Sequence, residues 1–233
     1  MADFEKSRQQ VLAKITLATE AAGRPVGSCT LLAVSKTFPS SDVRACYATG
    51  QRAFGENYVQ ELLEKSAALA DLPDIEWHFI GPLQSNKTRA VAEAAQWVHT
   101  VDRAKIAQRL SDQRPVDLPP LNVCVQVNVS GEESKSGCTL EEAPELAATV
   151  AALPRLKLRG LMCIPEPTED RAKLLAQFRT LAALRERLIA AGYLLDTLSM
   201  GMSADLETAI AAGATMVRVG TALFGARSYP PNN

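Results

Sequence analysis

The sequence predicts an α/β protein, a single (β/α)8 barrel of the TIM type, and three observations lead to this fold class. Short apolar, β-prone segments alternate with amphipathic helical segments about eight times along the 233 residues. No linker-like segment separates these repeats, which favours one domain over residues 1–233. Strands that alternate with helices form a parallel sheet, and eight such repeats close most economically into a barrel. An open, doubly wound sheet is the alternative, because short apolar runs are easily misassigned.

The first half of the chain predicts an additional helix and four strand–helix repeats. Residues 4–22 have helical periodicity and precede the first strand, 30–35, which is a continuous apolar run. The next three strands are shorter apolar or aromatic runs, predicted at 52–55, 75–80 and 97–100. The segments between the strands are amphipathic, and they predict helices at 41–49, 58–70, 86–95 and 103–113.

The second half of the chain continues the same alternation. The most β-like stretch, 121–129, alternates Val with Cys, Gln and Asn and predicts the fifth strand. Further strands are predicted at 156–162, 197–200 and 215–219, and helices at 140–152, 169–191 and 204–212. Prolines such as Pro39, Pro82 and Pro154 fall between these elements, where a missing N–H does little harm.

Composition excludes several classes of protein. The 25 Lys and Arg residues nearly balance the 26 Asp and Glu residues, so no positive excess indicates binding to nucleic acid or to an anionic membrane. No apolar run approaches the roughly 20 residues that span a bilayer, and the N-terminus lacks a secretory signal. The five cysteines are widely spaced and contain no C-x-x-C pair, which argues against disulfides and a thiolate metal site. A cytoplasmic protein is expected.

Polar and flexible residues gather where the predicted strands end. In parallel barrels the carboxyl ends of the strands meet at one face, and catalytic or binding residues lie there. The residues at or just after the ends of the first, second, seventh and eighth strands are Lys36, Asn57, Ser199, Gly201, Arg218, Gly220 and Thr221. The sequence therefore predicts that these side chains converge at one mouth of the barrel.

The ends of the last two strands have features of a phosphate site. Phosphates in such barrels bind in the loops after strands seven and eight, close to a helix N-terminus. Ser199 and Thr221 offer hydroxyl donors, and Gly201 and Gly220 let backbone amides approach an anion closely. The alternative is an ordinary turn in which Ser203 caps the helix that begins at residue 204.

A lysine opposite a phosphate site favours a phosphorylated aldehyde. Lys36 follows a buried apolar run directly, and lysine amines in desolvated pockets form Schiff bases with carbonyls. Pyridoxal 5′-phosphate carries both an aldehyde and a phosphate, so it satisfies both features. Two alternatives remain at this point, a class I aldolase that uses a phosphorylated sugar, and a lysine that only reaches solvent.

Five segments of the chain carry recognisable motifs. They are AVSKT (33–37), FGENYVQE (54–61), WHFIGPLQSNK (77–87), LSMGMS (198–203) and VRVGT (217–221). These segments resemble the motifs of the YggS/PROSC family of pyridoxal phosphate homeostasis proteins. The resemblance covers nearly the whole chain, from about residue 31 to 229, with the motifs in the family's order. The resemblance implies a fold-type III barrel like the N-terminal domain of alanine racemase.

The resemblance also implies roles for the residues at the strand ends. It assigns Lys36 as the lysine that holds pyridoxal phosphate in a Schiff base and Asn57 as a polar neighbour of the pyridine ring. Ser199, Gly220 and Thr221 match phosphate-binding positions, and the backbone near Gly201 belongs to the same predicted site. Arg218 matches an arginine that contacts either the pyridine nitrogen or the phosphate.

The implied function is cofactor homeostasis without catalysis. The family is regarded as buffering pyridoxal phosphate and delivering it to PLP-dependent apoenzymes, and the β-domain that completes the racemase site is not expected here. A monomer is expected. The alternative function is a weak amino-acid racemase that uses the same cofactor. Two further lysines, Lys87 and Lys135, lie in family motifs, and their roles stay open between cofactor transfer and simple solvent exposure.

Overall fold

The barrel is closed in the computed structural model, which describes residues 3–131 and 136–225. Eight parallel strands neighbour one another in chain order, and β8 pairs with β1 to complete the ring. The strands are β1 (Thr30–Val34), β2 (Ala53–Glu56), β3 (Glu76–Phe79), β4 (Trp97–Val101), β5 (Leu121–Gln126), β6 (Leu156–Met162), β7 (Thr197–Met202) and β8 (Met216–Val219). The predicted barrel is confirmed and the open-sheet alternative is wrong.

Helices alternate with these strands and surround the barrel. They are α1 (Phe4–Ala21), α2 (Ser40–Ala48), α3 (Val59–Ala68), α4 (Thr88–Ala94), α5 (Ala104–Gln113), α6 (Ala143–Ala152), α7 (Arg171–Ala190), α8 (Leu206–Ala211) and α9 (Thr221–Phe224). Aspartate side chains cap two long helices, since Asp3 accepts from Lys6 N and Asp170 accepts from Ala172 N. The extra N-terminal helix is confirmed, and α9 is a short helix that the sequence reading missed.

The main core lies between the barrel and the helices, and a separate layer fills the barrel itself. Successive residues of a strand point to opposite faces. Leu31 and Ala33 of β1 accordingly pack in the main core, whereas Leu32 and Val34 form an inner cluster with two residues from neighbouring segments, Ile80 and Met216. The interior also holds buried polar side chains, among them His78, His99 and Ser199.

Two strands end two or more residues away from the predicted position. β5 ends at Gln126, three residues before the predicted end. Beyond this point the loop returns to the strand, because Cys138 N donates to Gln126 O and Cys138 pairs with Val127 in an isolated bridge. β7 continues two residues further, to Met202. An irregular register between Ser199 and Met202 shows that β7 contains a bulge there.

The five cysteines are buried free thiols. Burial raises the pKa of Cys29 to about 11 and those of the other four cysteines to about 12. Thiols with such pKa values are poor nucleophiles and poor metal ligands. Among the described residues, no helix is both long and apolar enough to cross a bilayer.

Candidate functional site

A cavity of about 240 Å³ opens where the carboxyl ends of the strands meet. Five of the seven residues that the sequence predicted for the site lie in its wall. The described wall consists of Val34, Lys36, Asn57, Ile80, Ile164, Met202, Ser203, Ala204, Arg218, Gly220 and Thr221. Segments distant in the chain therefore converge here, because the closed barrel places β1, β2 and β8 side by side.

Lys36 sits in a short turn that the fold holds on both sides. Its neighbour Ser35 is fully buried and donates its N–H to Gly55 O of β2. On the other side, Thr37 has φ +69°, a left-handed conformation that a β-branched residue rarely adopts. The Thr37 N–H donates to Glu61 Oε2 at 2.8 Å, which stabilises this conformation. The backbone around Lys36 is thus fixed by contacts to β2 and α3.

A cluster of three charged side chains, Glu56, Glu61 and Lys65, contacts this turn and stabilises it. Lys65 Nζ lies 2.8 Å from each of three acceptors, namely Ser35 O, Glu56 Oε1 and Glu61 Oε2. Ser35 Oγ donates to the same oxygen of Glu56. Desolvation raises the pKa of Glu56 to about 7, although Lys65 opposes this shift. This cluster was not predicted from the sequence, where its signals are the i, i+4 spacing of Glu61 and Lys65 and the acid at the end of β2.

Asn57 is placed by a close approach of two loops. A Cβ added to Gly81 would lie 1.9 Å from Asn57 O, so a glycine is required where β3 ends. The Oδ1 atom of Asn57 is buried and has no hydrogen-bond partner among the described residues. A buried acceptor in this state costs free energy unless a ligand or water completes it. Asn57 therefore offers a polar group to whatever occupies the cavity.

Arg218 is a buried cation in the cavity wall. Its Nη1 donates to Ser199 O at 2.6 Å and to Ser199 Oγ at 2.9 Å, and its Nη2 donates to Cys163 O at 3.0 Å. A guanidinium has five N–H groups, so two remain for a ligand. Burial lowers the pKa of Arg218, but an arginine keeps its charge in proteins. With Lys36 also present and no carboxylate among the described lining residues, the wall suits an anionic ligand.

Two of the predicted site residues lie behind the wall. Ser199 is fully buried, and its hydroxyl contacts Arg218 and His99 Nδ1, the latter at 2.8 Å. Gly201 has φ +93°, and a Cβ there would lie 2.5 Å from Ala209 Cβ, so this glycine permits close packing of β7 against α8. Their direct contact with a phosphate stays a prediction.

Ser203 takes the place in the wall that the sequence reading gave to Ser199. The expectation that Ser203 caps a helix starting at residue 204 is wrong, because α8 begins at Leu206 and its N-cap residue is Asp205. Asp205 Oδ1 instead accepts from Met202 N, which shapes the loop around Ser203. Gly220 and Thr221 line the cavity as predicted.

The two additional lysines stand outside this arrangement. Lys87 lies in a single 3-10 turn, Ser85–Lys87, and does not line the cavity. Lys135 lies outside the residues that the structure describes.

Comparisons with known proteins agree with this architecture. Residues 9–228 match the family described as alanine racemase, N-terminal domain. The pyridoxal phosphate homeostasis protein of Pseudomonas aeruginosa is 62% identical over 98% of both chains. A structure of PipY from Synechococcus elongatus with PLP bound has a TM-score of 0.78 and 38% identity, covering 92% of this chain and 100% of that one.

A more distant structure shows the shared fold. Alanine racemase from Corynebacterium glutamicum has a TM-score of 0.69 at 17% identity, and the match covers 93% of this chain but 61% of the racemase. The resemblance inferred from the motifs is therefore confirmed by two independent comparisons, one of sequence and one of structure. This chain belongs to the alanine racemase N-terminal domain family and, within it, to the pyridoxal phosphate homeostasis proteins.

Proposed function

We propose that this protein binds pyridoxal 5′-phosphate in the cavity at the barrel mouth and buffers and delivers the cofactor without transforming it. One observation carries the proposal. A lysine amine, a buried guanidinium and two hydroxyl side chains line the same cavity, whose described wall has no carboxylate. The amine can react with an aldehyde, and the guanidinium and hydroxyls can donate hydrogen bonds to a phosphate dianion. Relatives named for pyridoxal phosphate homeostasis and a PLP-bound relative support the assignment.

Different residues of the cavity bind different parts of the cofactor. Lys36 binds the aldehyde end, where its amine nitrogen bonds to the aldehyde carbon and the aldehyde oxygen leaves as water. Ser203, Gly220 and Thr221 bind the phosphate, while Arg218 donates its remaining N–H groups to a cofactor acceptor. The buried, unpartnered Oδ1 of Asn57 fits a polar group of the bound ring system. When bound, the cofactor supplies an electron-withdrawing aldehyde that can be passed to another amine.

The side chains that line the cavity support the absence of catalysis. Moving the α-proton of an amino acid requires a base within about 3 Å of the reacting carbon's proton. Among the described lining residues, the titratable side chains are Lys36 and Arg218. Lys36 is committed to the cofactor and Arg218 stays protonated, so a second base for racemisation is not provided by these residues.

The experiment targets the covalent bond. Wild-type protein incubated with pyridoxal phosphate should show an absorbance band of the imine, and borohydride should fix the cofactor to the peptide that contains Lys36. Lys36→Ala should lose the band while its circular dichroism stays unchanged. Lys87→Ala is the matched control and should behave as the wild type, because Lys87 does not line the cavity. A reduced adduct found mainly on Lys87 or Lys135 would contradict the assignment.

A second measurement tests the absence of catalysis. Amino acids incubated with the loaded protein in deuterated water should retain their α-protons, because buffering requires no proton transfer. Exchange or racemisation at a rate above that of free pyridoxal phosphate would establish the racemase alternative instead.

The setting of this function is also a proposal. We infer a cytoplasmic monomer formed by one domain over residues 1–233, with PLP-dependent apoenzymes as the recipients. Delivery requires an acceptor that binds the cofactor more tightly than this protein does. Reactivation of a PLP-dependent apoenzyme in the presence of a scavenger for free cofactor tests direct transfer, and light scattering tests the oligomeric state.

A further inference from the structure

A chain of polar side chains runs through the inside of the barrel and ends at Arg218. His78 Nδ1 lies 2.9 Å from His99 Nε2, and His99 Nδ1 lies 2.8 Å from Ser199 Oγ. Ser199 Oγ in turn accepts from Arg218 Nη1 at 2.9 Å. At the other end, His78 Nε2 lies 3.5 Å from Glu76 Oε2, at the start of β3. We call these five residues the histidine column.

The column is isolated from water along most of its length. His78, His99, Ser199 and Arg218 are each at most 4% exposed, whereas Glu76 is exposed. Trp97 stacks on His78, with ring centroids 5.2 Å apart and an interplanar angle of 10°. The charged groups that act on the two histidines are Glu76 on β3, Arg159 on β6 and Arg218 on β8. The proton positions inside the column are therefore set by the protein.

The arginine fixes the direction of every hydrogen bond in the column. A guanidinium can only donate, so Ser199 Oγ accepts from Arg218 and its own hydrogen is available for His99 Nδ1. If His99 Nδ1 carried a proton instead, the buried Ser199 hydroxyl would lose its acceptor, which is costly. His99 Nδ1 is thus the acceptor, and its Nε2–H donates to His78 Nδ1. The remaining proton of His78 is then on Nε2 and faces Glu76.

A neutral imidazole at His99 is required by this arrangement. A protonated ring would have no lone pair for the Ser199 hydroxyl and would face Arg218 with the same sign of charge. Burial and the neighbouring cations lower the pKa of His99 well below its ordinary value and also lower that of His78. Both rings therefore stay neutral at physiological pH.

We propose that His99 is a positioning residue that, through the Ser199 hydroxyl, fixes the guanidinium of Arg218 in the wall of the cofactor cavity. Arg218 Nη1 donates to two oxygens of Ser199, and the second of them is held in place only while the hydroxyl is bonded to His99. Releasing that hydroxyl frees one N–H of Arg218 to turn away. The consequence for the cofactor rests on the proposed function, whereas the proton positions do not.

The first test measures the proton positions in the cofactor-free protein. The chain contains two histidines, so two single variants assign all ring resonances in long-range ¹⁵N–¹H spectra. Both rings should be neutral with the proton on Nε2 from about pH 5.5 to 8.5, below and above the ordinary histidine pKa of about 6.5. A proton on His99 Nδ1, or titration of His99 near its ordinary pKa, would overturn the proposal whatever the protein binds.

The second test measures the effect on the cavity. His99→Leu removes the acceptor and should weaken pyridoxal phosphate binding by about tenfold or more, with a shifted pH midpoint of the bound cofactor's absorbance band. His99→Asn retains an acceptor near the position of Nδ1 and should restore affinity to within about threefold of the wild type. Cys124→Ala is the control for damage to the barrel interior, because Cys124 packs with Trp97 and Met162 outside the column.

The outcomes separate the two proposals. Wild-type affinity and midpoint in His99→Leu would overturn the positioning role and leave cofactor binding intact. An equal loss in His99→Leu, His99→Asn and Cys124→Ala would also overturn it, since the effect would then be general destabilisation. If the wild type did not bind the cofactor, the proposed function would fail while the nuclear magnetic resonance result still decided the proton positions.

Discussion

At the scale of single residues, Glu56 is a buried carboxylate beside the turn that carries Lys36. Its side chain is fully buried, one oxygen contacts Ser35 and Lys65, and the other oxygen has no partner among the described residues. Desolvation raises the pKa of Glu56 from the ordinary 4.5 to about 7. Between these pH values the folded protein retains a proton that the unfolded chain releases, so the contribution of Glu56 to stability falls as the pH rises.

Replacing Glu56 by glutamine should remove this pH dependence. We expect the free energy of unfolding of Glu56→Gln, relative to the wild type, to rise by about 3 kcal/mol between pH 4.5 and 8. His78 and His99 contribute the opposite slope, because their pKa values are lowered, but they are common to both proteins and cancel. Urea unfolding at several pH values measures the difference. Glu145→Gln, at an exposed position of α6, should give a flat difference, and a flat difference for Glu56→Gln would refute the assignment.

The hydroxyls in the cavity wall can be tested one at a time. Thr221→Val keeps the shape of the side chain but removes a hydrogen bond to a phosphate, worth roughly 1.5–3 kcal/mol for a charged partner. We expect Thr221→Val and Ser203→Ala each to lower the affinity for pyridoxal phosphate by about tenfold or more. Pyridoxal, which lacks the phosphate, should bind far more weakly than pyridoxal phosphate and be insensitive to both changes. Equal affinity for the two aldehydes would remove the phosphate site.

At the scale of elements, the ends of β2 and β3 fit together around Gly81. Ile80 N donates to Glu56 O, and Thr100 Oγ1 donates to Gly81 O at 2.7 Å, so this crossing is held from both sides. A side chain at position 81 would collide with the backbone of Asn57, which cannot yield as a flexible side chain would. The contact explains why a glycine stands two residues after β3.

Gly81→Ala should therefore damage both stability and binding. We expect a loss of about 1–3 kcal/mol in the free energy of unfolding, because overpacking forces a backbone shift. The affinity for pyridoxal phosphate should fall in parallel, since the shift moves Asn57. Gly23→Ala is the matched control: nothing lies within 4 Å of the added Cβ, and φ is +67°. It should lose about 1 kcal/mol from its left-handed backbone alone and keep its affinity. Unchanged affinity in Gly81→Ala would show that Asn57 has no role.

Aromatic packing joins three elements around the same mouth. Phe224 of α9 stacks on Phe38 in the turn after Lys36, with ring centroids 5.1 Å apart, and meets Phe4 of α1 edge-on at 5.7 Å. The additional N-terminal helix thus supports the short helix that follows the last strand. This helix begins at Thr221, so the packing connects the aldehyde and phosphate ends of the proposed site.

At the scale of the whole molecule, closure of the barrel creates the site. The pairing of β8 with β1 aligns Val219 with Ala33, which brings the residues after each strand together. In an open sheet the first and last strands would be far apart, and Lys36 could not share a cavity with Thr221. The chain therefore forms one cavity from residues more than 180 positions apart.

The local pattern of the sequence sufficed for the elements and much of the site. Apolar periodicity predicted the eight strands, the helices α1 to α8 and their order, because helix and strand periods differ and the segments are long enough to show them. The position of Lys36 after an apolar run, and the motifs around Asn57, Arg218, Gly220 and Thr221, predicted five residues that do line the cavity.

The tertiary structure alone decided which residue of a strand end faces the cavity. Ser199 lies deeper inside the barrel, bonded to His99 and Arg218, and a bulge in β7 adds one residue between Ser199 and Met202. Ser203, not Ser199, therefore lines the wall. The same holds for contacts between elements, such as Glu56 of β2 with Lys65 of α3, and His99 of β4 with Ser199 of β7 across the barrel. The sequence by itself determined the elements, their order and the place of Lys36 at the end of a strand, because these depend on neighbours in the chain. Burial, register and contacts between distant residues determined the rest, because they exist only once the barrel has closed.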